Sequence, residues 1–307
     1  MTAILLGVAP VFGLIALGWA LKARRFLMDE AWRPIERLVY FVLYPGFLIP
    51  TIWNADFSGL AAGPVGLASV SAVGIVALAA VLLKPLIRLP DASFTSVFQG
   101  VIRWNAFVFL PVALSVFGRD GAALGAVVVG SLIPFINILC VLVLSRWGEG
   151  QAGVAPRALA RSLATNPVFM SCVVGLALNL LNVPRIPGVF EALQMLGAAG
   201  VPLGLIVAGS GLSFRGLALR PVTLASVTAV KMLALPVLMF LLAGLYGGDR
   251  VAQGVALLCG CAPGAAASYV LARQMGGDAP LMAGITAATT LAAAAVMPLM
   301  LILFGYG

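Results

Sequence analysis

Apolar residues in this chain continue in blocks of about twenty, separated by brief polar stretches, instead of recurring every third or fourth position. A helix needs a block of that length to cross the roughly 30 Å of hydrocarbon in a bilayer. The blocks predict ten spans, at roughly 3–21, 35–53, 64–83, 93–117, 121–144, 165–182, 189–212, 221–246, 250–274 and 279–304. The connections are short except for 145–164, which carries Arg146, Glu149, Arg157 and Arg161 and is too small to fold alone.

The pattern contains itself twice. Pro64 to Val73 read PVGLASVSAV, and 157 positions later Pro221 to Val230 read PVTLASVTAV. At the same offset Pro10-Val11-Phe12 meets Pro167-Val168-Phe169, Gly18 meets Gly175, Pro45 meets Pro202, Leu48-Ile49 meets Leu205-Ile206, and Phe57-x-Gly59-Leu60 meets Phe214-x-Gly216-Leu217. The expected fold is therefore an all-α membrane protein of two five-helix repeats. The first occupies 1–144, the linker 145–164 and the second 165–307, all within one integrated membrane domain. An odd number of spans per repeat makes the second copy enter the membrane inverted.

Composition agrees with a bilayer as solvent: 62% of residues are hydrophobic and only 9% charged. Eighteen Lys and Arg test the topology, because positive residues concentrate on the cytoplasmic side of short loops. Lys22, Arg24, Arg25, Arg33, Arg37, Lys84, Arg88, Arg146, Arg157, Arg161, Arg215, Arg220 and Arg273 fall on one side, and Arg119, Arg185 and Arg250 on the other. Both termini are expected outside a plasma or inner membrane, with the linker inside. The net charge of +8 is then a basic rim for anionic lipid, and no nucleic-acid partner is expected. The first span has no basic residue before it and a basic cluster after it, so it reads as retained and not as a cleaved leader.

No histidine is present, which removes the usual zinc sites and histidine-based catalysis. The acids lie at span ends or in loops, and Cys140, Cys172, Cys259 and Cys261 fall inside spans as small apolar side chains. Neither an enzyme nor a metal site is expected. The unusual charges are Arg103 in span 4 and Lys231 in span 8, each opposing insertion by roughly 2.5–3.5 kcal/mol at a helix centre. Two readings stand for each: it lines an aqueous cavity or bonds free carbonyls, or it attracts a carboxylate. Spans 4 and 9 contain Pro111 and Pro263, which cannot donate to the carbonyls of Phe107 and Cys259, so both helices are expected to break in mid-membrane. Backbone broken at that depth must face protein or a water-filled cavity, and carriers with inverted repeats bind substrate there. Asn105 is the strongest neutral candidate beside a break. Gln99, Asn137, Ser268 and Tyr269 are further candidates, set against the reading that they only join helices.

Asn105 to Pro111, Asn166-Pro167, the Gly200-Val-Pro-Leu-Gly-Leu stretch around Pro202, and Cys261-Ala-Pro-Gly264, in this order, resemble the auxin efflux carrier family. That family shares an architecture with the bile acid:sodium symporters. The resemblance implies that spans 4 and 9 cross at their prolines, that a transport unit moves like an elevator against spans 1, 2, 6 and 7, and that Asn105 contacts a substrate carboxylate. It likens Lys231 to a span 8 lysine that pairs with a span 3 aspartate in plant members, yet span 3 here, Pro64 to Leu83, has no acid.

The expected function is secondary transport of small organic anions, malonate-like dicarboxylates or auxin-like acids, with Asn105, Arg103 and Lys231 foremost. Pro111, Pro263, Ser268, Asn137 and Gln99 surround the site. The alternatives are a sodium-coupled carrier like the bile acid symporters and a membrane sensor that binds without moving its ligand. No cofactor is expected. Uniport or proton linkage through Lys231 ranks above sodium coupling, because no acid accompanies the crossover. The partners are the organic anion, membrane lipid and, for a dimer, a second copy of the chain.

Overall fold

A computed structural model of the chain describes residues 2–57, 60–86, 88–149, 161, 164–218, 220–265 and 267–306. Most of the linker expected at 145–164, including Arg157, lies outside the described residues. Among those described there is no strand. In hydrocarbon a backbone must satisfy its polar groups internally, and apolar sequence without turn signals does so as helix.

The helices are α1 Thr2–Ala23, α2 Asp29–Leu38, α3 Tyr44–Trp53, α4 Ala62–Leu83, α5 Asp91–Ile102, α6 Ala106–Trp147, α7 Pro167–Leu180, α8 Val189–Ser210, α9 Pro221–Ala229, α10 Leu235–Leu245, α11 Arg250–Cys261, α12 Ala267–Gln274 and α13 Ala279–Leu303. Two π-helical turns, Val39–Leu43 and Val230–Ala234, join α2 to α3 and α9 to α10. Each stands one residue before a proline, Pro45 or Pro236, whose missing N–H and bulky ring widen the turn. Among the described residues, six helical stretches are long and apolar enough to span a membrane: Asp29–Trp53, Ala62–Leu83, Asp91–Trp147, Val189–Ser210, Pro221–Leu245 and Ala279–Leu303. Gly7–Ala23, Pro167–Leu180 and Arg250–Cys261 are shorter apolar helices. The outer surface is apolar as a lipid-facing surface must be, with Leu78, Leu82, Leu142 and Val222 each at least 60% exposed.

The run Asp91–Trp147 is neither straight nor unbroken. At Gly118 the backbone takes φ 65° and ψ −150°, a region open in practice to glycine alone, and the chain reverses. The two limbs of α6 then pack on each other: a β-carbon on Gly121 would lie 2.4 Å from the Ala113 carbonyl oxygen, and one on Gly125 2.9 Å from Leu110.

Two groups of helices result. α1 and α3 pack on α8, and α3 also packs on α7; α4, α5, α6 and α9 to α13 pack together elsewhere, the second limb of α6 lying against α4. α1 touches α6 and α13, so the groups meet along it. Asp278 fastens the second group: its Oδ1 accepts from Leu281 N–H at 3.0 Å, its Oδ2 accepts from the Ser93 hydroxyl at 2.8 Å, and its carbonyl accepts from the Ser96 hydroxyl at 2.8 Å.

Candidate functional site

Two interruptions mark the membrane interior. The first runs from Arg103 to Asn105, between α5 and α6, where Arg103 is extended at φ −78° and ψ 148°. Asn105 starts the next helix by accepting from Phe107 N–H at 2.9 Å through its Oδ1. The second comes after Cys261, where Ala262 is extended at φ −65° and ψ 136° and Pro263 and Gly264 are buried. Gly264 N–H donates to the Thr289 hydroxyl on α13 at 3.0 Å.

The first break corrects the sequence expectation. Pro111 does not interrupt span 4; it is buried within continuous helix, in the second turn of α6. Pro111 removes one backbone bond, the one to the Phe107 carbonyl, and the helix continues through it. What stops α5 is the extended conformation at Arg103, and Asn105 supplies the cap for α6. Pro263 does lie in its break.

The breaks face one small cavity of about 10 Å³, lined by Asn105, Val108, Gly264, Thr286 and Thr290, with Ile15 of α1 and Ala208, Gly211 and Leu212 at and just after the end of α8. Because the Asn105 Oδ1 is engaged in the cap, its amide N–H groups are what it offers the cavity. The positive end of the α6 backbone dipole points the same way. Across the cavity, Thr286 and Thr290 donate their hydroxyl protons to the carbonyls of Met282 at 3.0 Å and Thr286 at 2.7 Å. Their oxygens therefore face it as acceptors. The cavity presents donors on one wall for a carboxylate and acceptors on the other for a hydroxyl, a water or a cation. That volume is room for about one water molecule, so in this conformation the cavity is closed to an organic acid and must widen to admit one.

The remaining candidates lie apart. Arg103 is half-buried beside Cys140 and near Tyr40, and it does not line the cavity. Lys231 is fully buried in the second π turn, next to the Cys259 and Cys261 thiols, and its Nζ has no hydrogen-bond partner among the described residues. Gln99 and Ser268 are also fully buried without partners. Asn137 is half-buried on the second limb of α6, away from the cavity lining. Trp104 packs edge-on against Phe109 with ring centroids 5.3 Å apart, and Tyr269 is 39% exposed.

Sequence reasoning passed over Thr286 and Thr290. Their signal was present: hydroxyls at 286, 289 and 290 share one face of a span whose other residues are all apolar.

Residues 195–306, from within α8 through α13, match the model of the Sodium Bile acid symporter family. Sodium/bile acid cotransporter 4 of Mus musculus is 43% identical over 67 residues, which is 22% of this chain and 15% of that protein's length. The chain is thus a multi-pass, transporter-like membrane protein. These matches correct the resemblance to auxin efflux carriers, for the region carrying Pro202 and Cys261-Ala-Pro-Gly264 matches the bile acid symporter model instead. Those motifs are short runs of small residues and proline, which any interrupted membrane helix needs, so they do not separate families that share an architecture. The elevator-type movement and the malonate-like or auxin-like substrates lose the support of that resemblance.

Proposed function

We propose that this protein is a secondary transporter of organic anions, similar to the sodium/bile acid symporters, which holds the carboxylate of its substrate between Asn105 and the second helix break. The carrying observation is that the Arg103–Asn105 interruption and Gly264 border one buried cavity with donors on its Asn105 wall. The match of residues 195–306 supports amphipathic acids of the bile acid type over small dicarboxylates. The apolar end of such an acid would extend past Ile15 and Leu212, between the two helix groups, when they separate.

We further propose ten crossings, from the six long runs, the three shorter apolar helices and the division of Asp91–Trp147 at Gly118. On this reading the two halves are inverted copies, both termini are extracytoplasmic, and the membrane is the plasma or inner membrane. The first test is counterflow of labelled cholate and of labelled short carboxylates in proteoliposomes. Exchange of cholate that weakens in Asn105→Ala is the expected result. Absence of exchange with every acid, while cholate still raises thermal stability, would identify a sensor and overturn transport.

A further inference from the structure

Lys231 is a cation enclosed by five helices, and none of them brings it an acid. The elements packed on its π turn are α5, α9, α10, α11 and α13. Their only charged side chains besides Lys231 itself are Asp91 and Arg250. Asp91 begins α5 and is paired with Lys84 at 2.7 Å; Arg250 begins α11 and donates to the Phe304 carbonyl. Asp91 is eight residues from Gln99 and Arg250 nine from Cys259, about 12 and 14 Å along their helices. The titratable groups that bear on Lys231 are the thiols of Cys259 and Cys261.

Helix register places two further unpartnered groups within about one helical turn of the level of Lys231. On the antiparallel pair α10 and α11, Gly260 lies against Pro236 and Gly244 against Gln253. A step forward on one helix is a step back on the other, so Lys231, five residues before Pro236, is level with the break after Cys261. On α5, Gly100 touches Val227, one helical turn before Lys231. α5 and α12 are also antiparallel: Asp278 N–H donates to the Ala92 carbonyl at 3.1 Å, and both Thr95 and Ala272 lie against Gly277. Four residues on along α5 and four back along α12, Gln99 comes level with Ser268. Both are fully buried, and the Gln99 Oε1 and Nε2 and the Ser268 Oγ have no partner among the described residues.

An ammonium, a carboxamide and a hydroxyl around one helix break form a donor-rich set with a net positive charge. Burying that charge without compensation is expensive. We propose that Lys231, Gln99 and Ser268 form a second site, distinct from the Asn105 cavity, that binds a small monovalent anion, either a halide or a carboxylate. The Lys231 ammonium supplies the charge, the Gln99 Nε2 and Ser268 hydroxyl supply directed donors, and the Gln99 Oε1 can accept from the ammonium. This site does not depend on the transport reading, since an anion can be held there whether or not another is carried.

The test is thermal unfolding of the purified protein in detergent at pH 7 and matched ionic strength, with sodium gluconate replaced stepwise by chloride, bromide or acetate. The expected result is a saturable rise of about 2–4 °C in the midpoint. Lys231→Gln abolishes the rise, Gln99→Leu and Ser268→Ala weaken it, and Asn105→Ala and Cys259→Ser/Cys261→Ser retain it. A response to acetate but not to halide assigns the site to carboxylates; a response to both assigns it to small anions in general. Should Lys231→Gln not fold, line broadening of the chloride-35 NMR signal by the unmodified protein, reversed by bromide, supplies the same information. The proposal is overturned by equal midpoints in gluconate, chloride and acetate, which would mean an uncharged amine, or by a response that survives Lys231→Gln.

Discussion

Gly18 on α1 lies so close to Ile206 on α8 that a β-carbon at position 18 would stand 1.9 Å from the Ile206 carbonyl oxygen. Its counterpart 157 residues on, Gly175 on α7, meets Ile49 on α3, whose own counterpart is Ile206; there the distance would be 3.2 Å. Gly209 returns the first contact, its β-carbon position lying 1.9 Å from the Ile15 carbonyl oxygen. Small residues let membrane helices approach backbone to backbone, where dispersion takes the place of the missing hydrophobic drive. Gly18→Ala and Gly209→Ala are expected to force α1 from α8 and to cost about 1–3 kcal/mol. Gly175→Ala should cost less, and thermal unfolding in detergent measures the order.

Gly118 isolates backbone strain from packing. Nothing lies within 4 Å of where its β-carbon would be, yet its φ of 65° and ψ of −150° are poorly tolerated by any other residue. Gly118→Ala is expected to destabilise by about 1–3 kcal/mol through the backbone alone. An unchanged melting midpoint would show that the reversal in α6 tolerates a side chain.

Asn105 and Asn166 both cap helices, Asn105 accepting from Phe107 N–H at 2.9 Å and Asn166 from Phe169 N–H at 3.0 Å. Alanine at either site should cost about 1 kcal/mol of stability. Only Asn105 lines the cavity. Asn105→Ala is therefore expected to weaken carboxylate binding about tenfold or more, the worth of one hydrogen bond to a charged group, whereas Asn166→Ala should leave affinity unchanged. Equal loss of affinity in both would tie the effect to helix capping and not to the cavity.

Thr289 holds the second break by accepting from Gly264 N–H at 3.0 Å while donating to the Ile285 carbonyl at 2.8 Å. Thr289→Val keeps the shape and strands a buried N–H, at an expected cost of about 1–3 kcal/mol. Thr289→Ser should restore most of it. If valine and serine behave alike under thermal unfolding, the hydroxyl is not what holds the break.

Asp278 joins α5 to α13 through Ser93, Ser96 and the N–H of Leu281. Asp278→Ala should lower stability by about 1–2 kcal/mol from the lost cap, and by more than Ser93→Ala, which removes a single donor. A smaller loss for Asp278→Ala than for Ser93→Ala would contradict this arrangement.

Of the residues lining the candidate cavity, the sequence singles out Asn105, by its depth and its place ahead of an apolar run; Pro263, marked by the small residues around it, lies in the second break but not in the cavity wall. The place of Arg103 was not legible, because sequence reports the depth of a residue and not its direction: it stands two residues from Asn105 yet sits beside Cys140 and near Tyr40, outside the cavity lining. Pro111 was misjudged because a proline early in a helix and one in mid-helix look alike until the helix start is known. That Gln99 comes level with Ser268 depends on how α5 and α12 slide past each other, which no local pattern encodes.

Sequence alone determined that this chain is helical and crosses membranes, because hydrocarbon accepts long apolar segments only as closed hydrogen-bonded helices. Only the tertiary structure decided where α5 stops, which side chains share the cavity, and that Lys231 lies among five helices with no acid facing it. Those outcomes rest on helix register and on close backbone contacts such as Gly18 to Ile206, interactions between residues far apart in the chain.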